Sequence, residues 1–401
     1  MNTLLRSGKA ALIAAMALAA LSANAETKIG APFALSGSVA ALAADMKAGA
    51  ALAATHVNAQ GGVLGENYEL LYRDSACEPG KAVEVVKSLV EEDGVSALVG
   101  PVCSGATLRQ AQSVSIPAGV VTLSVASASH LITNLRDRDL VFRTALSDSY
   151  KGEAMAAYVF EQGVSSLSVS FASDAYNTSL AKVFTEAFEK LGGEVVINQV
   201  HQPEKSDYKR EVDALAGGSE NLALFAYYGS SGTQLLKDAA VGGKITTVFG
   251  SDGLLSQELI DTIDATLLSG ISILTTSADE SRQSFKIWQS LADEAGIPAS
   301  GPFVANSYDA AFMMALAIEA VQSSNRDMIS EGLRQISGPE GEVIYPGEFA
   351  KAAAILKSGG SVNYEGASGT VDFDAKGDIA GFVSINKVVD GQWVAQLMTS
   401  Q

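Results

Sequence analysis

Two loops in the first half of the chain place hydroxyl and small side chains directly after predicted β-strands. Ser104 lies in the segment GPVCSGAT, where its hydroxyl and the neighbouring backbone N–H groups could bind a carboxylate or a phosphate. The loop SVASASH (124–130) combines three serines with small residues, so a ligand could approach its backbone closely. The alternatives are an ordinary helix-capping serine and a loop selected for tight packing.

Aromatic and acidic side chains follow predicted strands in the second half of the chain. Tyr176 lies in FASDAYN and Tyr228 in YYGS, and each offers a ring face and a hydroxyl. Asp252, in GSDG, could hold a cation. Tyrosines packed on a neighbouring helix and a turn aspartate are the alternatives. Taken together, anion-binding donors in one half and a carboxylate in the other predict a site for a zwitterion such as an α-amino acid.

Motifs for enzymatic and metal chemistry are missing from the sequence. It contains no G-x-S-x-G, H-E-x-x-H or Walker A sequence, and no G-x-G-x-x-G after a predicted strand. Its three histidines, His56, His130 and His201, are widely separated, and His201 is interpreted as an exposed loop residue. A formal net charge of −18 disfavours binding to nucleic acids and anionic lipids. We therefore predict a protein that is not an enzyme and uses no metal or cofactor.

The first 25 residues have the features of a secretory signal. Arg6 and Lys9 are followed by the apolar run LIAAMALAAL and by the small-x-small pattern Ala23–Ala25. That run is too short to span a bilayer, which argues against a membrane anchor. We expect cleavage after Ala25 and an exported, periplasmic protein.

The two cysteines, Cys77 and Cys103, lie 26 positions apart. In an oxidising compartment a disulfide between them is the expected state. The alternative, a nucleophilic cysteine, has no histidine near it in the sequence.

Short β-branched runs alternate with longer segments of helical periodicity. This alternation predicts parallel sheets covered by helices on both faces, and nine or so units are too many for one compact sheet. We therefore predict an α/β protein with two doubly wound parallel-sheet lobes joined by three crossover strands. The predicted strands are Lys28–Phe33, Tyr68–Arg73, Ala97–Gly100, Gly119–Leu123, Leu167–Ala172, Glu194–Val200, Leu222–Tyr227, Thr246–Gly250, Gly270–Thr275, Thr370–Phe373, Gly381–Val388 and Trp393–Met398.

Changes in composition suggest where the chain passes between the lobes. A charged run precedes residue 141, long helical segments begin after residue 277, and Gly/Ser-rich sequence begins at Gly359. We assign residues 26–146 and 276–358 to an N-terminal lobe. Residues 147–275 and 359–401 form a C-terminal lobe, and residues 1–25 form the signal peptide.

Several segments resemble the type I periplasmic binding proteins of the leucine/isoleucine/valine class, the extracytoplasmic receptors of ABC importers. The likeness extends over essentially the whole mature chain, and the segment around Gly61, Gly62, Asp74 and Cys77 is quite specific. The resemblance implies the two-lobed fold, the disulfide and capture of a small solute by domain closure. The matching segments are KIGAPFALSGSVA, HVNAQGGVLGENYELLYRDSACEPGKAVEVV, VGPVCSGAT, VFRT, SDAYN and FGSDG.

The resemblance also implies which first-lobe groups hold the ligand carboxylate. These are Ser104 and the backbone at Ala126 and Ala128. Ala128 stands where the family generally has a threonine, so Ser127 or Ser129 would supply the hydroxyl.

From the second lobe, the resemblance implies that Tyr176 and Tyr228 close over the ligand and that Asp252 takes its ammonium. Leu42 occupies a position that is often aromatic in branched-chain receptors and is assigned to specificity. Asn177 replaces the usual glycine after the tyrosine.

The function implied is a monomeric periplasmic receptor that binds a small amino acid and hands it to the membrane permease of an ABC importer. Branched-chain or other aliphatic amino acids are favoured. The alternative is a receptor for a non-α-amino-acid solute such as an amide, urea or an aromatic acid. A sensory subunit that reports to a membrane kinase and a secreted hydrolase of the same fold class are further alternatives.

Overall fold

The computed structural model describes residues 26–398. The predicted signal peptide and its cleavage site lie outside the described residues, as do residues 399–401. Within residues 26–398, no helix combines the length and the apolar character needed to cross a membrane.

Strands and helices alternate along the described chain, as predicted. Thr370–Phe373 is not a strand, because Thr370 forms only an isolated bridge with Glu365. The strands are β1 (Glu26–Phe33), β2 (Asn67–Asp74), β3 (Ala97–Val99), β4 (Thr122–Ser124), β5 (Val141–Arg143), β6 (Ser166–Ala172), β7 (Glu194–His201), β8 (Asn221–Phe225), β9 (Thr247–Ser251), β10 (Ile271–Ser277), β11 (Glu342–Ile344), β12 (Val362–Tyr364), β13 (Phe382–Val389) and β14 (Gln392–Leu397).

The helices end where glycines and caps predict. At the end of the first helix, Gly62 has a φ of +72°, and a Cβ there would lie 1.9 Å from the Glu66 carbonyl oxygen, so only glycine fits. The helices are α1 (Ala40–Ala59), α2 (Pro79–Glu91), α3 (Ser104–Gln110), α4 (His130–Thr133), α5 (Asp148–Glu161), α6 (Ala175–Lys190), α7 (Lys209–Gly218), α8 (Thr233–Gly242), α9 (Gln257–Thr262), α10 (Ala265–Leu268), α11 (Gln283–Ala295), α12 (Val304–Val321), α13 (Arg326–Ile336) and α14 (Phe349–Lys357).

The first lobe is built on a five-stranded parallel sheet with the order β2-β1-β3-β4-β5. Its core contains α12, in which every residue from Val304 to Glu319 is buried, and α12 packs against α1 and α13. Because α12 is apolar on all sides, it acts as a central element covered by other helices.

The second lobe is built on a seven-stranded sheet with the order β14-β13-β10-β9-β8-β6-β7. Strands β6 to β10 are parallel, whereas β13 and β14 are antiparallel additions at one edge. The two faces of this sheet carry separate apolar clusters. The predicted fold of two α/β lobes is therefore confirmed, with a mixed rather than purely parallel second sheet.

The chain passes between the lobes three times, over residues 144–147, 278–282 and 372–381. The third passage differs from the expected boundary at residue 359. Residues Val362, Tyr364 and Val371 pack in the first-lobe core, because β12 pairs with β11 there. The C-terminal share of the second lobe therefore begins near β13.

Candidate ligand-binding site

A cavity of about 40 Å³ lies between the lobes at the carboxyl ends of the parallel strands. This is the edge at which α/β folds bind ligands. A larger groove of about 570 Å³ lies on the outer face of the second lobe, between α5 and β13–β14, and contains none of the predicted site residues. The interlobe cavity is lined by Val39, Leu42, Met46, Val102, Cys103, Ser104, Ala126, Tyr176, Tyr227, Asp252, Gly253 and Phe303.

Ser104 forms the polar part of the first-lobe wall. It is the first residue of α3 and follows Cys103, which forms the predicted disulfide with Cys77. Its hydroxyl oxygen accepts a hydrogen bond from the Ser129 N–H at 3.2 Å. Since a hydroxyl can donate one hydrogen as well as accept, the Ser104 proton can be directed at a ligand oxygen.

The four residues of the loop at 126–129 have different roles in the structure. Ala126 lines the cavity, as expected, whereas Ser127 and Ala128 do not. The Ser127 hydroxyl is 2.7 Å from the Thr107 hydroxyl and 3.1 Å from the Val102 carbonyl oxygen, so it serves the loop rather than a ligand. Ala128 is fully buried against the core of the second lobe. The Ser129 hydroxyl caps α4, where it accepts from the Leu131 N–H at 3.3 Å.

Arg143 supports this loop from behind and was not singled out from the sequence. Its guanidinium is fully buried and makes a bidentate ion pair with Asp378, with distances of 2.6 and 2.8 Å. The same group donates to the Ser129 carbonyl oxygen at 2.9 Å. A lone arginine directly after the apolar pair Val141-Phe142, in the motif VFRT, is the signal that could have identified it.

Tyr176 lies in the second-lobe wall, in the first turn of α6 rather than in a loop. The Asp174 carboxylate caps this helix and accepts from the Tyr176 and Asn177 N–H groups at 3.0 Å each. This cap sets the start of the helix at Ala175. The Tyr176 hydroxyl donates to Asp252 Oδ1 at 2.7 Å, which joins two predicted site residues.

Tyr227, which the sequence analysis did not single out, lines the cavity. Its ring stacks on that of Tyr176, with 6.0 Å between centroids and 27° between planes. The side chain of Tyr228 lies outside the described part of the structure, so its predicted role remains a prediction.

Lys151 is the site residue that the sequence analysis missed most completely. Its fully buried Nζ lies 2.8 Å and 3.1 Å from the two Asp252 carboxylate oxygens and 2.8 Å from the Tyr176 hydroxyl. Burial alone lowers the pKa of this ammonium, but the charges of Asp252 and Asp148 outweigh burial and raise the pKa above its ordinary value. Lys151 is therefore charged, and it forms an ion pair with the carboxylate that was expected to hold the ligand ammonium.

Asp148 is a second buried acid beside Lys151. Its Oδ1 lies 3.4 Å from Lys151 Nζ, and neither of its oxygens has a hydrogen-bond partner among the described atoms. Burial raises the pKa of Asp148 to about 6, against the opposing charge of Lys151. Asp148 does not line the cavity.

Direct contacts between the lobes show that the cleft is closed. The His130 ring Nδ1 lies 2.7 Å from the Ser179 hydroxyl, and the His130 backbone N–H donates to the same oxygen at 3.1 Å. On the other side of the cleft, a Cβ on Gly229 would lie 3.1 Å from the Ser38 carbonyl oxygen. Both lobes therefore contribute to the cavity wall.

His201 is buried, which corrects its interpretation as an exposed loop residue. Its ring nitrogens contact the Ser170 and Ser231 hydroxyls at 2.9 and 2.8 Å. Burial lowers the pKa of His201 to about 4, so the ring is neutral and acts as a hydrogen-bonding spacer between β6 and the turn at residues 228–232.

Comparisons with known proteins identify relatives of this chain. The chain is 26% identical over 345 residues to the chemotactic signal transduction system substrate-binding protein BasB of Halobacterium salinarum, covering 84% of this chain and 81% of that protein. It is 29% identical over 321 residues to the Leu/Ile/Val-binding protein BraC3 of Rhizobium johnstonii, covering 79% and 84%.

Among solved structures, a solute-binding protein of an ABC transporter from R. palustris in complex with 4-hydroxybenzoate superposes with a TM-score of 0.76. The two share 17% identity over 93% of this chain and 96% of that chain, which shows a common fold. The sequence matches the periplasmic binding protein family over residues 26–373. The chain belongs to this family of solute-binding proteins, as the sequence predicted.

Proposed function

We propose that this protein is the extracytoplasmic receptor of an ABC importer that captures a small organic carboxylate between its lobes and delivers it to a membrane permease. One observation carries the proposal: a single cavity is lined by Ser104 and Ala126 from one lobe and by Tyr176 and Asp252 from the other. A ligand that contacts both lobes at once favours the closed state over the open one.

The carboxylate is the part of the ligand best supported by the first lobe. Ser104 begins a helix and has a hydroxyl proton to donate, and Ala126 leaves room for a ligand to approach the backbone. The rest of the cavity wall is mainly apolar, which suits an aliphatic or aromatic body.

The sequence favours a small amino acid, branched-chain above all, and the Leu/Ile/Val-binding relative supports that choice. The alternative is an acid without an amino group, and the structural neighbour that holds 4-hydroxybenzoate supports it. Both ligand classes carry a carboxylate, which is therefore the common element of the proposal.

Delivery to a permease is supported by the neighbour from an ABC transporter, whereas the relative from a chemotactic signalling system supports a sensory role instead. We propose transport as the function and secretion by the signal of residues 1–25 as the route. Mass spectrometry of the exported protein should find Glu26 at its N-terminus, and a different first residue would contradict cleavage after Ala25.

A thermal-shift and calorimetric screen of residues 26–401 tests the receptor function. The panel contains L-amino acids, aliphatic and aromatic carboxylates, short amides and urea. Binding to the native state must raise the melting temperature, and we expect at least one carboxylate to do so. Ser104→Ala should lower the affinity for that ligand by about tenfold or more, since a hydrogen bond to a charged group is lost.

Ser113→Ala, at an exposed position in the same lobe, is the matched control and should leave affinity unchanged. If amides or urea bind and no carboxylate does, the carboxylate assignment is wrong.

A further inference from the structure

We propose that Lys151 supplies the ammonium that a bound amino acid would otherwise bring, so that the ligand is a small, largely apolar carboxylic acid without an α-amino group. This inference rests on the proposed receptor function and specifies the ligand class of the same site.

Lys151 is a buried ammonium held by the residues of the second-lobe wall. An ammonium has three hydrogens to donate. Lys151 donates to the Asp252 carboxylate at 2.8 and 3.1 Å and to the Tyr176 hydroxyl at 2.8 Å, and it forms an ion pair with Asp148 Oδ1 at 3.4 Å. Two of these partners, Asp252 and Tyr176, are the second-lobe residues expected to contact the ligand.

The acceptors of Asp252 and Tyr176 are consequently engaged. Both Asp252 oxygens receive Lys151, and Oδ1 also receives the Tyr176 hydroxyl hydrogen at 2.7 Å. The Tyr176 oxygen accepts from Lys151. A ligand ammonium would have to share one carboxylate with a second buried cation a few ångströms away, which is costly in a site removed from water.

The second buried acid, Asp148, offers no acceptor for a ligand ammonium at the cavity wall. Asp148 is completely buried and does not line the cavity. Its negative charge is therefore directed at Lys151 rather than at a ligand.

Much of the remaining cavity wall is apolar. Val39, Leu42, Met46 and Phe303 share the cavity with it and offer no side-chain acceptor for an ammonium. They suit an uncharged hydrocarbon body, whereas the hydroxyl of Ser104 suits a carboxylate.

Matched pairs of acids with and without the amino group test the inference on the wild-type protein. The pairs are 4-methylpentanoate with L-leucine, 3-methylbutanoate with L-valine, and phenylacetate with L-phenylglycine. Calorimetry should show that the acid without the amine binds more tightly by about tenfold or more in at least one pair.

Tighter binding of the amino acid in every pair that binds would overturn the inference and leave the receptor function intact. If no acid of either kind binds but an amide or urea does, both the inference and the carboxylate ligand are overturned.

The double variant Lys151→Met/Asp148→Asn tests the role of the lysine itself. Removing Lys151 alone would leave two buried carboxylates without a cation, so Asp148 is neutralised at the same time. In this variant Asp252 becomes free to pair, and the preference should shift toward the amine-bearing member by about tenfold or more. An unchanged preference would contradict the role of Lys151.

Lys182→Met, at an exposed lysine of the same lobe, is the matched control and should keep the wild-type preference. Circular dichroism and the melting temperature report whether the double variant folds. If it does not, the comparison of ligand pairs on the wild-type protein decides the question alone.

Discussion

Asp148 and Lys151 lie one turn apart on α5, both are completely buried, and 3.4 Å separates Asp148 Oδ1 from Lys151 Nζ. Burial raises the pKa of Asp148 to about 6, above its ordinary value of 3.8. Between these two values the folded protein binds a proton that the unfolded chain has released. The contribution of Asp148 to stability is therefore present at low pH and decreases as the pH rises from about 4 to about 6, by roughly 1.4 kcal/mol per pH unit.

Asp148→Asn should remove this pH dependence. The variant and the wild type should have similar free energies of unfolding near pH 4, and the variant should become the more stable of the two toward pH 7. Urea denaturation of both proteins across this range gives the difference directly. Since Asp309 is also buried with a pKa raised to about 6, the difference between the proteins, rather than either curve alone, reports Asp148. A difference that does not change with pH would contradict the assignment.

Arg143→Met should destabilise the fold strongly. The substitution leaves the Asp378 carboxylate and the Ser129 carbonyl oxygen without their buried donor. Breaking a buried ion pair on one side costs about 3–5 kcal/mol. Chemical denaturation should show a loss of this size, whereas Lys182→Met, which breaks an exposed pair with Glu186, should cost less than about 1 kcal/mol. Equal effects of the two substitutions would argue against a supporting role for Arg143.

Ser179→Ala should weaken ligand binding without a large effect on folding. Ser179 contacts His130 across the cleft, and this contact requires the lobes to be closed. The loss of a hydrogen bond of about 1 kcal/mol from the closed state alone lowers affinity about fivefold. Calorimetry measures the affinity, and Thr178→Ala, at the exposed neighbouring position, is the control. An affinity equal to that of the wild type would show that this contact does not contribute to closure.

The double substitution Cys77→Ala/Cys103→Ala should lower both stability and affinity. The disulfide closes a loop across 26 positions, which corresponds to about 3.5 kcal/mol on the loop-entropy model. Cys103 also lines the cavity and precedes Ser104. Loss of the disulfide should therefore disturb the part of the site that binds the ligand carboxylate. Thermal denaturation and ligand titration test the two effects separately. Labelling of free thiols in the native, unreduced protein would contradict the disulfide itself.

Much of the fold and part of the site follow from local sequence. Alternating strand and helix patterns predict the two lobes, and reading the residues after each strand finds Ser104, Ala126, Tyr176 and Asp252, all of which line the cavity. This succeeds because the carboxyl ends of parallel strands meet at one edge of a sheet.

The rest of the site depends on contacts between distant segments. Lys151 reads as an ordinary helical lysine, and its partner Asp252 lies 101 positions away. Similarly, His201 is buried only because the turn containing Ser231 folds over the end of β7.

The ion pair between Arg143 and Asp378 also affects how the lobes can move. Arg143 ends β5 just before the first passage between the lobes, and Asp378 lies within the third passage. The Arg143 N–H additionally donates to the Gly377 carbonyl oxygen at 3.0 Å. The first and third connections between the lobes are thus linked by hydrogen bonds near the first lobe and cannot rotate independently of each other. We therefore expect the pivot of opening to lie on the second-lobe side of this ion pair, at residues 145–147 and 379–381.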